Sequence, residues 1–122
     1  MARILVVDDE APIRRLLREV LAAEGHEIIE AIHGDEALRL HQAMPADLVI
    51  TDILMPEKDG LEVITQLRRE SAHLKVIAIS GGGKFHQMEV LQMAKPLGTF
   101  ATLCKPFEIN RMLEIVRRAL AE

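Results

Sequence analysis

The sequence predicts an α/β fold: a five-stranded parallel sheet with five helices on its two faces, in one domain over residues 1–122. Three observations carry this. Short Val- and Ile-rich runs alternate with longer segments of helical periodicity along the whole chain. The runs at 4–7, 47–52 and 75–80 have continuous apolar centres with no polar–apolar alternation, as strands buried on both faces do. The chain has 122 residues, 49% of them hydrophobic and 28% charged, which suits one core and leaves little room for a second.

Each element has its own local reason. Ile4-Leu5-Val6-Val7 is the first strand and ends in Asp8-Asp9. A helix follows over about 11–23, with Ile13, Leu16, Leu17, Val20 and Leu21 at helical spacing. Pro12 sits in its first turn, where a missing N–H costs nothing, and Gly25 stops it. Residues 26–31 form a weaker strand, and 35–43 a helix that ends before Pro45. The run 47–52 is a buried strand ending in Asp52. A helix over 61–69 turns Leu61, Ile64 and Leu67 inward. The run 75–80 is a buried strand ending in Ser80, and a helix over about 86–97 follows Gly81-Gly82-Gly83. The last strand covers 99–104. The last helix covers 107–120, with Ile109, Met112, Leu113, Val116 and Leu120 on one face.

Composition removes several classes of function. There are 15 basic and 19 acidic side chains, a net charge of −4, which argues against nucleic-acid binding by charge. With three Phe and neither Tyr nor Trp, stacking platforms are not expected. The single cysteine, Cys104, excludes an internal disulfide and a zinc site built on cysteine pairs. No apolar run is long enough to cross a bilayer, and the first residues do not resemble a secretory signal, so no membrane contact and a cytoplasmic location are expected.

In a parallel sheet of this kind, ligands bind beyond the carboxyl ends of the strands. Asp8 and Asp9 stand there after the first strand, Asp52 at the end of the third, Ser80 at the end of the fourth, and Lys105-Pro106 after the fifth. Carboxylates held close together stay ionised only when a cation joins them. Hard oxygen ligands suit Mg²⁺, a lysine can neutralise a phosphoryl oxygen, and a carboxylate is a competent nucleophile toward phosphorus. The residues therefore read as an aspartate that accepts a phosphoryl group with Mg²⁺ assistance. Asp8 and Asp9 as plain helix caps would leave Asp52 unexplained. Gly81-Gly82-Gly83-Lys84 is not a P-loop, because Phe85 follows the lysine where that motif has Ser or Thr.

The ordered set Val6-Val7-Asp8-Asp9, Asp52-Ile53-Leu54-Met55-Pro56 with Asp59-Gly60, Ser80, and Lys105-Pro106-Phe107 resembles the receiver domain of two-component response regulators over nearly the whole chain. The resemblance implies a flavodoxin-like, doubly wound sheet of order 2-1-3-4-5. It implies that Asp52 is the phosphoacceptor, that Asp9 ligates Mg²⁺ directly and Asp8 mainly through water, and that the backbone carbonyl of Leu54 and Asp52 itself complete the metal set. Ser80 would hydrogen-bond the phosphoryl group, Gly81 would offer its N–H, and Lys105 would pair with a phosphoryl oxygen. The Lys105-Pro106 bond would be cis. The partners implied are a sensor histidine kinase or histidine phosphotransfer protein as donor and a downstream protein target. The chain would be a signalling module that catalyses its own phosphotransfer and dephosphorylation. The competing function is a Mg²⁺-dependent aspartate-nucleophile phosphohydrolase, but its usual D-x-D pattern is absent.

The sequence departs from the family in places. Many receivers carry an aromatic residue three positions before the lysine, where this chain has Thr102. Phe100, two residues earlier and so on the same side of a strand, either substitutes in the switch or simply packs. Leu54 and Gly82 flank the site without a polar group or a shield, so an acyl phosphate that is not among the shortest-lived is expected. Ile13, Leu16 and Pro106 form an apolar patch for the donor, or else Ile13 and Leu16 are buried in the core. Arg14, Arg15 and Arg18 read as a solvated face, and the five histidines as surface residues.

Overall fold

A computed structural model describes residues 1–53, 60–80 and 98–122. Five strands, β1 (Arg3–Val7), β2 (Glu27–Ala31), β3 (Leu48–Asp52), β4 (Lys75–Ser80) and β5 (Ala101–Cys104), form one parallel sheet of order β2-β1-β3-β4-β5. Among the described residues there are four helices: α1 (Ala11–Ala23), α2 (Gly34–Ala43), α3 (Gly60–Glu70) and α4 (Ile109–Ala121). The helix expected over 86–97 lies outside the described residues.

Alternation along the central strands splits the core into two layers. Leu5, Val7, Val49, Val76 and Ala78 face Ala37 of α2 and Val63, Ile64 and Leu67 of α3. Ile4, Val6, Leu48, Ile50, Ile77 and Ile79 face Leu17 and Leu21 of α1 and Met112, Ile115, Val116 and Ala119 of α4. Both faces of β1, β3 and β4 are covered, which is why these strands read as continuous apolar runs. Their register is in step: Val7 lies opposite Thr51, Asp52 opposite Ile79, and Ser80 opposite Cys104. The polar residues at the strand ends therefore arrive on one edge.

α1 starts at Ala11 with proline in its first turn and is closed by Gly25, whose φ of 93° is a conformation that side chains disfavour. On α4 the sequence reading needs correction. Ile109 is exposed, and Ile115, absent from the expected face, is buried. α4 begins at Ile109 rather than at 107, so Ile109 is its first residue.

His41 is not the surface residue expected, and the half-buried His33 has a structural role. His33 caps α2, its Nδ1 accepting from the Glu36 N–H, while Glu36 accepts from the Ile32 N–H in return. His41 is buried, with 4% of its surface exposed. Its Nδ1 accepts from the Ala46 N–H at 3.0 Å and its Nε2 lies 3.1 Å from Ser71 Oγ, so a neutral ring joins the end of α2 to the approach to β3 and the end of α3. Burial pushes His41 below its ordinary 6.5, with the charge of Glu70 opposing. The contribution of the neutral ring to stability is thus full above pH 6.5 and is lost as pH falls through the lowered folded value. Between pH 7 and about 5 the wild type should lose more of its urea midpoint than His41→Gln does. Parallel curves would exclude His41 from the acid response.

Candidate functional site: an acidic pocket around Lys105

β1, β3 and β5 deliver the groups of the site. The chain leaves β1 at Asp8, whose N–H donates to the Ala31 carbonyl at 3.1 Å. Its Oδ1 accepts from the Glu10 N–H at 2.9 Å, a turn that aspartate favours and that fixes the carboxylate. Neither Asp8 nor Asp9 caps α1. The cap position is Glu10, and its side chain makes no capping bond. Asp52 ends β3 with 4% of its surface exposed, and Asp8 is at 1%. Lys105 follows β5, its N–H donating to the Ser80 carbonyl at 2.7 Å, which ties the ends of β4 and β5 together. The Lys105-Pro106 bond is cis.

The Lys105 ammonium is the centre of the pocket. It donates to Asp8 Oδ2 at 2.8 Å, Glu10 Oε1 at 2.9 Å and Asp52 Oδ2 at 3.2 Å. Burial alone would lower its pKa. The hydrogen bonds to Asp8 and Glu10 and the charges of Asp52 and Asp8 outweigh burial and hold the ammonium above its ordinary range. Burial pushes Asp8 above the usual carboxylate value, and the hydrogen bonds from Lys105 and the Glu10 N–H, with the lysine charge, pull part of that back.

Asp8, Asp9, Glu10 and Asp52 each place one oxygen so that all four lie within 4.8 Å of one another, and this cluster could hold a metal ion. Among the described residues four carboxylates face one ammonium, leaving excess negative charge that a divalent cation would balance. The donors are all hard oxygens, and Asp9 and Glu10 are exposed to water. This fits Mg²⁺, which keeps several waters and takes few carboxylates.

Of the residues expected at the site, Asp8, Asp9, Asp52 and Lys105 converge, and Ser80 lies buried at the same end of β4. Leu54, Gly81 and Gly82 lie outside the described residues. Thr102 sits in β5 opposite Ala78 and is partly buried. Phe100 is not beside it. β5 begins only at Ala101, and Phe100 packs with Ala101 and Leu103 on the α1/α4 side, its ring centre 5.4 Å from Lys75 Nζ. Its N–H donates to the Val76 carbonyl, near the start of β4 and away from the carboxylates.

Two contributors were missed in the sequence. Glu10 is the third consecutive acid after β1, and that run was the available signal. Arg14 does not belong to a solvated face: its guanidinium donates to the Asp8 carbonyl at 2.7 Å and pairs with Glu30 at 3.3 Å. Arg18 also pairs with Glu30. Ile13 packs against the core, as one of its two expectations had it, and with Leu16, Pro106, Phe107, Glu10 and Lys105 also lines a groove beside the pocket.

The profile of the response regulator receiver domain matches residues 4–117. The chain is 32% identical to sporulation initiation phosphotransferase F of Bacillus subtilis, over 97% of this chain and 93% of that protein. It is 35% identical to the transcriptional regulatory protein PdtaR of Mycobacterium tuberculosis, over 98% of this chain but only 57% of that protein. Among solved structures, the response regulator TrrA of Thermotoga maritima, in complex with Mg²⁺ and BeF, superposes with a TM-score of 0.83 at 36% identity, covering 98% of this chain and 100% of that one.

Proposed function

The chain belongs to the response regulator receiver domain family of two-component signalling, and from that premise we propose that Asp52 is its phosphoacceptor. The observation that carries the reading is the Lys105 ammonium, held among Asp8, Glu10 and Asp52 at the carboxyl ends of the strands. A carboxylate oxygen of Asp52 attacks the phosphorus of a phosphohistidine. The P–N bond breaks, the imidazole leaves with the electron pair, and an aspartyl phosphate forms. Lys105 donates an N–H to a phosphoryl oxygen, and the Ser80 hydroxyl donates to another. When bound, Mg²⁺ supplies positive charge to the phosphoryl oxygens. Asp8, Asp9 and Asp52 would hold it, with the Leu54 carbonyl in the set.

Receiver domains take their phosphoryl group from histidine kinases or phosphotransfer proteins. The groove of Ile13, Leu16, Pro106 and Phe107, opening beside Lys105, supports docking of such a donor there. The Bacillus relative is named a sporulation initiation phosphotransferase, which supports onward transfer as one output. Phosphorylation adds roughly −1.5 to −2 charge at Asp52, and that charge biases the surrounding loops toward a form that a downstream protein binds. Among the described residues no helix is long and apolar enough to cross a membrane.

Intact-protein mass after incubation with acetyl phosphate tests the reading. One phosphoryl adduct is expected with Mg²⁺ and none with a chelator. An equal adduct in both conditions would remove the metal from the scheme.

A further inference from the structure

The edge strand β2 supplies none of the four carboxylates of the acidic cluster. It nevertheless holds the turn after β1 on both sides of Asp8. The Asp8 N–H donates to the carbonyl of Ala31, the last residue of β2, at 3.1 Å. The Asp8 carbonyl accepts from Arg14 Nη1 at 2.7 Å, and Arg14 Nε lies 3.3 Å from the carboxylate of Glu30, also in β2. One guanidinium thus serves a carbonyl and a carboxylate at once, which its planar fork of donors allows and the single ammonium of a lysine does poorly. Arg14 lies in the first turn of α1, where its own N–H donates to the Glu10 carbonyl at 3.2 Å. Its side chain folds back over the turn and is only 16% exposed.

The Asp8 carbonyl belongs to the rigid peptide plane that joins Asp8 to Asp9. Fixing that oxygen fixes the direction in which the chain enters Asp9. Asp8 is secured further by its own side chain, which accepts from the Glu10 N–H and from Lys105. Asp9 is exposed, yet its carboxylate belongs to the cluster. Burial does not hold this acid in place, and the bond to the preceding carbonyl does.

We propose that Arg14, oriented by Glu30, is a positioning residue for the metal site: it holds the Asp8–Asp9 peptide so that Asp9 meets the cation. The inference rests on the reading of Asp9 as a Mg²⁺ ligand. Charge and position act here with opposite signs. Loss of a positive charge beside the cluster strengthens its attraction for Mg²⁺. Loss of the brace leaves Asp9 to be ordered at the expense of binding.

Isothermal titration calorimetry of the full chain with Mg²⁺ separates the two, and urea unfolding without Mg²⁺ reads the fold. Arg14→Met should weaken Mg²⁺ binding about tenfold, the lower end of what the outer partners of metal ligands contribute. Glu30→Gln should weaken it less and add little to Arg14→Met, because it acts through the arginine. Arg15→Met, which removes an equal charge from the exposed neighbouring position, should keep the wild-type affinity. In the acetyl phosphate reaction the half-saturating Mg²⁺ concentration of Arg14→Met should rise by the same factor. The rate at saturating Mg²⁺ should be kept, since Asp52 and Lys105 are untouched. An unchanged or tighter affinity in Arg14→Met overturns the proposal, and a lowered urea midpoint alone would mark a merely structural brace. Full additivity of the Glu30 and Arg14 effects overturns it as well, as does an equal loss in Arg15→Met. A wild type that takes up no Mg²⁺ overturns the reading of the metal site and this inference with it, whereas a wild type that binds and an Arg14 variant that matches it overturn this inference alone.

Discussion

Asp52→Asn should take up no phosphoryl group from acetyl phosphate at any Mg²⁺ concentration, while remaining folded. The amide has almost the shape of the carboxylate, so the packing at the end of β3 is kept, and Asp52 is buried enough that shape matters. What is lost is the nucleophile. An amide oxygen carries no full negative charge, and an amide–phosphate product would not be a stable acyl phosphate. Asp8 is a poor substitute. Its carboxylate is tied to the Glu10 N–H and to Lys105, and burial raises its affinity for a proton. Intact mass gives the answer directly, and circular dichroism confirms the fold. A residual adduct at the wild-type level would move the acceptor to another carboxylate of the cluster.

Lys105→Met should cost the metal-free chain about 3 kcal/mol, the scale of removing one partner from a buried ion pair. The lysine side chain is 10% exposed and is the cation recorded between Asp8 and Asp52. Methionine fills much the same volume but leaves the buried carboxylates repelling one another, so proton uptake or a bound cation must relieve them. Mg²⁺ should therefore stabilise the variant more than it stabilises the wild type, by mass action on a site of greater negative charge. Urea unfolding with and without Mg²⁺ measures both terms. A variant as stable as wild type without Mg²⁺ would show that the carboxylates do not need the lysine to stay buried.

Much of this was legible in the residues. Continuous apolar runs ending in Asp, Asp and Ser gave the parallel sheet and its functional edge, because strands buried on both faces leave no polar residue until they stop. Asp8, Asp52 and Lys105 were legible for the same reason. Glu10 was not, since an acid before a helix reads as a cap, and only the position of Lys105 shows that its carboxylate turns elsewhere. Arg14 was hidden likewise, because its acceptor is a backbone carbonyl, which leaves no mark in a sequence. His41 and Phe100 were misplaced because spacing reports a face only inside an element. The partners of His41 come from two other segments, and Phe100 precedes the strand whose alternation was extended to it.

Lys105 and Asp8 meet across 97 positions of chain, and Lys105 and Asp52 across 53. A polypeptide still emerging from the ribosome thus carries both aspartates long before it carries the cation that neutralises them. Until β5 adds to the sheet edge, Asp8 and Asp52 are without the Lys105 ammonium that joins them. Closure of the pocket is therefore a long-range event, completed only when β5 pairs with β4 and brings Lys105 to the aspartates delivered by β1 and β3.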